Sequence, residues 1–158
     1  MMIRQIQRKI RLKLNIQDAW EFFSSPCNLK IITPPELNMK ITSSPPDSIY
    51  SGLIITYKVH PFLSVPLLWV TEITHVQEPY FFVDEQRYGP YRMWHHQHRL
   101  TPVDGGVEVE DLVHYIMPFG IVGEILRNLW IQRRLEEIFH FREQMLVQRF
   151  GHLLHEPS

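Results

Sequence analysis

The chain has 158 residues, of which 44% are hydrophobic and 21% are charged, and its formal net charge is -1. This length and composition predict one globular domain over residues 1–158, with a core at about residues 3–150. The near-zero charge excludes a general attraction to nucleic acid or acidic membranes, so we expect no nucleic-acid partner.

The cysteine content and the length of the apolar runs indicate where in the cell the protein is located. The single cysteine, Cys27, excludes an intrachain disulfide, and we expect it to be a small buried residue. No apolar run approaches the roughly 20 residues that cross a bilayer. The start "MMIRQIQRKIRLKL" lacks the uninterrupted apolar core of a signal peptide. The sequence therefore predicts a cytoplasmic protein without a transmembrane segment.

The basic start is followed by a short helical region. Apolar residues from Ile6 to Leu14 share one alternation phase, which favours a half-exposed edge strand over a membrane-binding or nucleic-acid arm. Helical spacing in "NIQDAWEFF" and a break at Pro26 then predict two short helices, ended by Pro34 and Pro35.

The middle of the chain changes to an alternation of period two. Proline and glycine separate its segments, which is typical of an antiparallel meander. With the first strand, about seven strands are predicted. The predicted strand segments are "LNMKI", "GLIITYKVH", "VPLLWVTEITHV", "YFFVDEQRY", "YRMWHHQHRL" and "GVEVEDLVHYIM".

Apolar residues recur at helical spacing from Ile121 to about Phe150, which predicts one long amphipathic helix. Its charged residues, Arg142 among them, are typical of a solvated face with intrahelical ion pairs. A curved antiparallel sheet with one apolar face can bury that face by wrapping around such a helix. The sequence therefore predicts an α+β fold.

Several motifs resemble a known superfamily. The strings "FVDEQRYGPYRMWHHQHRL", "EDLVHYIMPFG" and "IFHFRE" resemble a bacterial branch of the SRPBCC superfamily, which includes START domains, birch-pollen-allergen-like proteins and polyketide cyclase/dehydrase-like proteins. The resemblance covers about Ile3 to Phe150. It implies a helix-grip fold, in which a curved antiparallel sheet of about seven strands wraps around the long C-terminal helix and two short helices follow the first strand. It carries over no catalytic residues.

The dipeptide Asp104-Gly105 predicts a tight hairpin turn between the last two strands. A two-residue turn there pairs Val103 with Gly106 and fixes the register of the hairpin. Opposed side chains point to the same side of a sheet, and this register gives an apolar inner face. The expected opposed pairs are Leu100 with Val109, His98 with Asp111, His96 with Val113 and Trp94 with Tyr115.

The stretch "MWHHQHRL" concentrates three of the nine histidines. Alternation directs His96 and His98 inward and His95 outward, so a three-histidine metal site is not expected. His96 and His98 could chelate zinc with Asp111, but no fourth ligand is evident, and the sequence predicts neither metal nor cofactor. A couple of His98 and Asp111 could instead form a general base. We favour a pocket lining or a hydrogen-bonded structural pair.

Other polar and aromatic residues share the inward phase of the strands. Gln86 is in phase with Phe82 and Asp84, although it could equally bond its own loop. Aromatic residues with polar tips suit an apolar pocket that also forms hydrogen bonds. The predicted ligand-binding residues are Tyr57, Trp69, Thr71, Gln86, Trp94, His96, His98, Asp111, Val113 and Tyr115.

Three functions are open at this point. The favoured one is binding of a small hydrophobic or amphipathic organic molecule, by resemblance and by the mixed interior. The alternative is a cyclase/dehydrase- or hydrolase-like enzyme, with His98 or His96 as acid or base and Asp111 and Tyr115 in support. A third is an interaction module or homodimer that uses apolar loops containing Phe62 and Leu63.

Overall fold

The computed structural model describes residues 3–62, 65–117 and 124–153. In chain order, the strands are β1 (Arg4–Leu12), β2 (Lys40–Ile41), β3 (Ile54–Phe62), β4 (Val65–Gln77), β5 (Phe81–Tyr88), β6 (Met93–Val103) and β7 (Gly106–Ile116). The helices are α1 (Ile16–Phe23) between β1 and β2 and α2 (Glu124–Phe150) after β7, with 3₁₀ helices at Pro26–Lys30 and Pro35–Leu37.

The seven strands form one antiparallel sheet in the order β1-β7-β6-β5-β4-β3-β2. The order confirms the predicted meander and places β1 at an edge, where Ile6, Ile10 and Leu12 face the core. Because apolar residues alternate with basic ones in β1, the strand buries one face and leaves the other in water. The edge-strand interpretation of the basic start is therefore confirmed.

The region after β1 differs in detail from the prediction. Asn15 caps α1 by accepting a hydrogen bond from the Asp18 backbone N–H at 2.9 Å. The second helix is a 3₁₀ turn, and Pro35 begins a further 3₁₀ helix instead of ending one, because proline suits the first helical position. The expectation for Cys27 was wrong, since it is exposed on the first of these turns.

Helix α2 packs along the inner face of the sheet. Its buried residues Ile131, Leu135, Phe139 and Leu146 recur at helical spacing and join the two hydrophobic clusters of the core. The predicted start at Ile121 lies outside the described residues. This arrangement confirms the α+β helix grip. In the described parts of the chain, no helix is long and apolar enough to span a membrane.

The β6–β7 hairpin has the register predicted from Asp104-Gly105. His98 lies opposite Asp111, and Val103 lies opposite Gly106. Gly105 has a φ of 76°, a left-handed conformation that glycine adopts without steric penalty. The remaining predicted pairs, Leu100 with Val109, His96 with Val113 and Trp94 with Tyr115, are also observed.

Candidate functional site

A cavity of about 210 Å³ lies between the inner face of the sheet and α2. Most of its wall is apolar, from residues such as Phe22, Ile55 and Leu135. An acidic, a basic and two histidine side chains are also part of the wall: Asp84, Arg142, His96 and His98. The cavity therefore combines a large apolar surface with one polar cluster.

The structure separates the predicted ligand-binding residues into two groups. Gln86 does not line the cavity, because its side chain donates to the Tyr91 carbonyl at 2.7 Å and accepts from the Tyr91 N–H at 3.2 Å. Asp111, Val113 and Tyr115 are buried but do not line the cavity either. The predicted ligand-binding residues that do line the cavity are Tyr57, Trp69, Thr71, Trp94, His96 and His98.

Two residues of the polar cluster were not among the predicted site residues. Asp84 shares the inward alternation phase of β5 with Phe82, and this pattern could have identified it as a site residue. Arg142 was assigned to a solvated face, and this was wrong, since its side chain is only 11% exposed. Its spacing of three residues from Phe139 and four from Leu146 places it on the buried stripe of α2.

Asp111 holds both inward histidines from one side. Its Oδ1 accepts a hydrogen bond from His96 Nε2 at 2.9 Å and lies 3.0 Å from His98 Nδ1. Arg142 Nη1 donates to both carboxylate oxygens at 3.4 Å. The single carboxylate thus connects β6 to α2.

Asp84 approaches the same two rings from the other side. Its Oδ2 lies 2.6 Å from His98 Nε2 and 3.4 Å from His96 Nδ1. Asp84 is opposite His96 in the β5–β6 register, so strand pairing sets this approach. Each imidazole is therefore held between two carboxylates.

The carboxyl groups are ionised. Burial opposes the charge on Asp111, but the Arg142 guanidinium and the two histidines outweigh it and hold the pKa of that carboxyl well below its usual range. Burial likewise opposes the charge on Asp84, but the histidines and Arg142 hold its pKa below the ordinary value. The cluster therefore contains two negative charges.

The two histidines have opposite protonation tendencies. Burial disfavours an imidazolium at His98, but hydrogen bonds to Asp111 and Asp84 and their charges outweigh it and raise the pKa of His98. Burial and the charge on His98 instead lower the pKa of His96. The raised pKa favours a cationic His98, which together with the Arg142 guanidinium would balance the charge of the two carboxylates.

Aromatic contacts fix the ring positions. The His98 ring stacks on Phe82 with centroids 4.1 Å apart and planes inclined by 12°. The His96 ring makes edge contacts with Trp94 and Phe139, at 6.1 and 5.8 Å between centroids. His95 is on the other face of β6, where Nδ1 lies 2.8 Å from Glu85. The predicted outward direction of His95 is confirmed.

The polar cluster also contains a set of potential metal ligands. One ligand atom each from Asp84, His96 and His98 lies within 4.8 Å of the others. Asp111, the third ligand considered from the sequence, instead contacts the histidine nitrogens directed away from Asp84. The cluster can thus hold a polar group or a cation at the cavity wall.

Solved structures with this fold come from diverse proteins. The Zhui aromatase/cyclase from Streptomyces sp. R1128 has a TM-score of 0.70 and 9% identity, with 94% of this chain and 93% of that chain covered. Protein CV1439 from Chromobacterium violaceum has a TM-score of 0.70 and 11% identity, with 94% and 98% covered. Ara h 8.0201 has a TM-score of 0.58 and 11% identity, with 93% and 99% covered.

These similarities confirm the resemblance to SRPBCC proteins at the level of the fold. A scan against protein-family models and a search of the curated proteins found no match. Because identity to the solved structures is so low, the fold alone is shared, and function has to be argued from the site.

Proposed function

We propose that the chain binds a small hydrophobic or amphipathic organic molecule in the cavity between the sheet and α2. The observation that carries this proposal is an apolar cavity of about 210 Å³ with one polar cluster in its wall. Ligand sites typically combine a mainly apolar surface with a few convergent polar groups that orient the ligand. The aromatic residues Trp69, Tyr91 and Trp94 supply broad apolar faces.

The polar cluster gives the ligand an expected orientation. Asp84 is 18% exposed in its side chain and lines the cavity, whereas Asp111 is 8% exposed and lies outside the lining. A ligand hydroxyl or amine could donate to Asp84, while its hydrocarbon part packs against residues such as Ile55 and Leu135. This supports an amphipathic ligand over a purely apolar one.

Native mass spectrometry of freshly purified protein tests the proposal. We expect an organic adduct of a few hundred daltons, the usual size of a ligand for such a pocket. The variant Ile55→Phe enlarges a buried side chain of the cavity wall and should reduce the adduct. Ile54→Phe is the matched control, because Ile54 is on the same strand but 46% exposed. Equal adducts in both variants would contradict the cavity as the binding site.

Acid–base catalysis is a second candidate function. The observation that favours it is His98 between Asp111 and Asp84, which fixes the ring and favours its charged form. Tyr115 does not line the cavity, so a supporting role for it is not favoured. Mass spectrometry of the bound molecule from wild type and His98→Gln tests this candidate. If both proteins convert the bound molecule to a product, or if neither does, catalysis by His98 is excluded.

Four sequence expectations stay predictions: a single domain, a cytoplasmic location, no nucleic-acid partner and a homodimer. Of the apolar loop assigned to partner contacts, Leu63 and the Phe62 side chain lie outside what the structure describes. Val65 and Leu68 beside it are 54% and 45% exposed.

A further inference from the structure

We propose that Asp84, His96 and His98 form a site for one divalent first-row transition-metal ion in the polar wall of the cavity. The proposal departs from the sequence expectation that the chain takes no metal. Its support does not depend on the identity of the organic ligand, since strand pairing sets the three side chains, although both proposals use Asp84. The strongest support is that each histidine ring directs one nitrogen to Asp84 and the other to Asp111.

The inner nitrogens of the two rings converge on one carboxylate oxygen. His98 Nε2 lies 2.6 Å and His96 Nδ1 lies 3.4 Å from Asp84 Oδ2. Two imidazole nitrogens and one carboxylate oxygen are a ligand set that suits iron or zinc, with further positions left open. The remaining coordination positions would face the cavity, because all three residues line it.

The outer nitrogens of the same rings are both directed to Asp111. His96 Nε2 and His98 Nδ1 lie 2.9 and 3.0 Å from Asp111 Oδ1. Metal-binding histidines usually give their second nitrogen to a carboxylate or carbonyl, which fixes the tautomer and the ring orientation. Asp111 meets this requirement for both rings, and Arg142 holds Asp111 in turn.

The two distances from the histidine nitrogens to Asp84 Oδ2 need little adjustment. Zinc–nitrogen bonds of about 2.0–2.1 Å in tetrahedral geometry separate neighbouring ligand atoms by about 3.3 Å. The distance of His96 Nδ1 from Asp84 Oδ2, 3.4 Å, already matches this value. The distance of His98 Nε2 from Asp84 Oδ2, 2.6 Å, has to increase by less than about 1 Å. When the metal binds, it replaces the proton between these two atoms, and that proton leaves to solvent.

Cobalt binding to chelator-treated full chain tests the proposal with the metal alone. Equilibrium dialysis against micromolar CoCl₂ should give one bound Co²⁺ per chain, and visible absorption should report its nitrogen and oxygen ligands. His96→Ala and His98→Ala should each weaken binding by at least about a hundredfold. His95→Ala is the matched control and should bind as wild type, because His95 is on the other face of β6 beside Glu85.

A positioning variant separates a metal site from a network of ion pairs. Asp111→Asn leaves the three ligands in place and should weaken Co²⁺ binding by about 10–100-fold, as loss of an outer-shell partner does elsewhere. Folding of each variant is checked by circular dichroism. If folded wild type binds no stoichiometric Co²⁺ or Zn²⁺ at micromolar concentration, the proposal is wrong. Unchanged binding in both His96→Ala and His98→Ala would overturn it equally.

Discussion

The imidazole rings of His96 and His98 lie with their centroids only 3.7 Å apart and their planes inclined by 37°. They occupy alternate positions of β6, so both rings face inward from one strand. Burial, and after it repulsion from a charged His98 at this distance, lower the pKa of His96. Asp84 and Asp111 each contact both rings, so their negative charges offset the positive charge on the histidine pair.

Replacement of Asp111 with asparagine should lower the free energy of unfolding by about 3 kcal/mol, because it removes the buried carboxylate that Arg142 and both histidines contact. Urea unfolding at pH 7 measures the effect. Glu110→Gln is the control, since Glu110 is the next residue and pairs with Lys9 on the other face of β7. That change should cost less than about 1 kcal/mol. Equal losses in both variants would mean that Asp111 has no special structural role.

The difference between wild type and Asp111→Asn should depend on pH. Because the pKa of Asp111 is lower in the folded chain than its ordinary 3.8, its contribution is complete above that value and is lost as pH falls toward the folded-state pKa. The gap in unfolding free energy should therefore narrow below about pH 4. Urea unfolding of both proteins between pH 7 and pH 3.5 checks this, and a constant gap would refute it. The charged and titratable groups around Asp111 include His96, His98, Arg142, Arg8, Lys9 and Glu143.

Gly106 should not tolerate alanine. A Cβ built there would lie 2.0 Å from the Leu12 carbonyl oxygen, and β1 cannot move away because it is paired with β7. We expect a loss of about 3 kcal/mol or more in thermal or urea unfolding. Gly105→Ala is the comparison. Its Cβ would meet only the Leu153 side chain at 3.5 Å, so the left-handed φ alone should cost about 1–2 kcal/mol. If Gly105→Ala lost more unfolding free energy than Gly106→Ala, the prediction would be contradicted.

Truncation of Leu135 should separate stability from binding. Leu135 is 4% exposed and lines the cavity, so Leu135→Ala should cost about 2–4 kcal/mol and enlarge the space for a ligand. Urea unfolding measures the first effect, and native mass spectrometry measures any larger adduct. Glu136→Ala, next on the same helix but exposed, should leave both unchanged. A Leu135→Ala protein as stable as wild type would show that the helix does not pack as described.

Local sequence features are sufficient to predict the β6–β7 hairpin and the inward direction of His96 and His98. The Asp104-Gly105 turn allows one short connection, and alternation then leaves one register that buries the apolar face. The pair of His98 and Asp111 follows from these local rules, as does the outward position of His95. The long amphipathic helix and the meander were likewise readable, because their periods of 3.6 and 2 are local properties.

Only the tertiary structure brought Asp84 and Arg142 to these histidines. Asp84 reaches His96 through the β5–β6 register, and the connection at residues 89–92 carries no two-residue turn signal that would define that register from the sequence. Arg142 reaches Asp111 because packing sets the rotation of α2 about its axis, which a charge pattern along the helix does not define. Local periodicity specifies the face of an element that is buried, whereas contacts between distant elements depend on how those faces pack together.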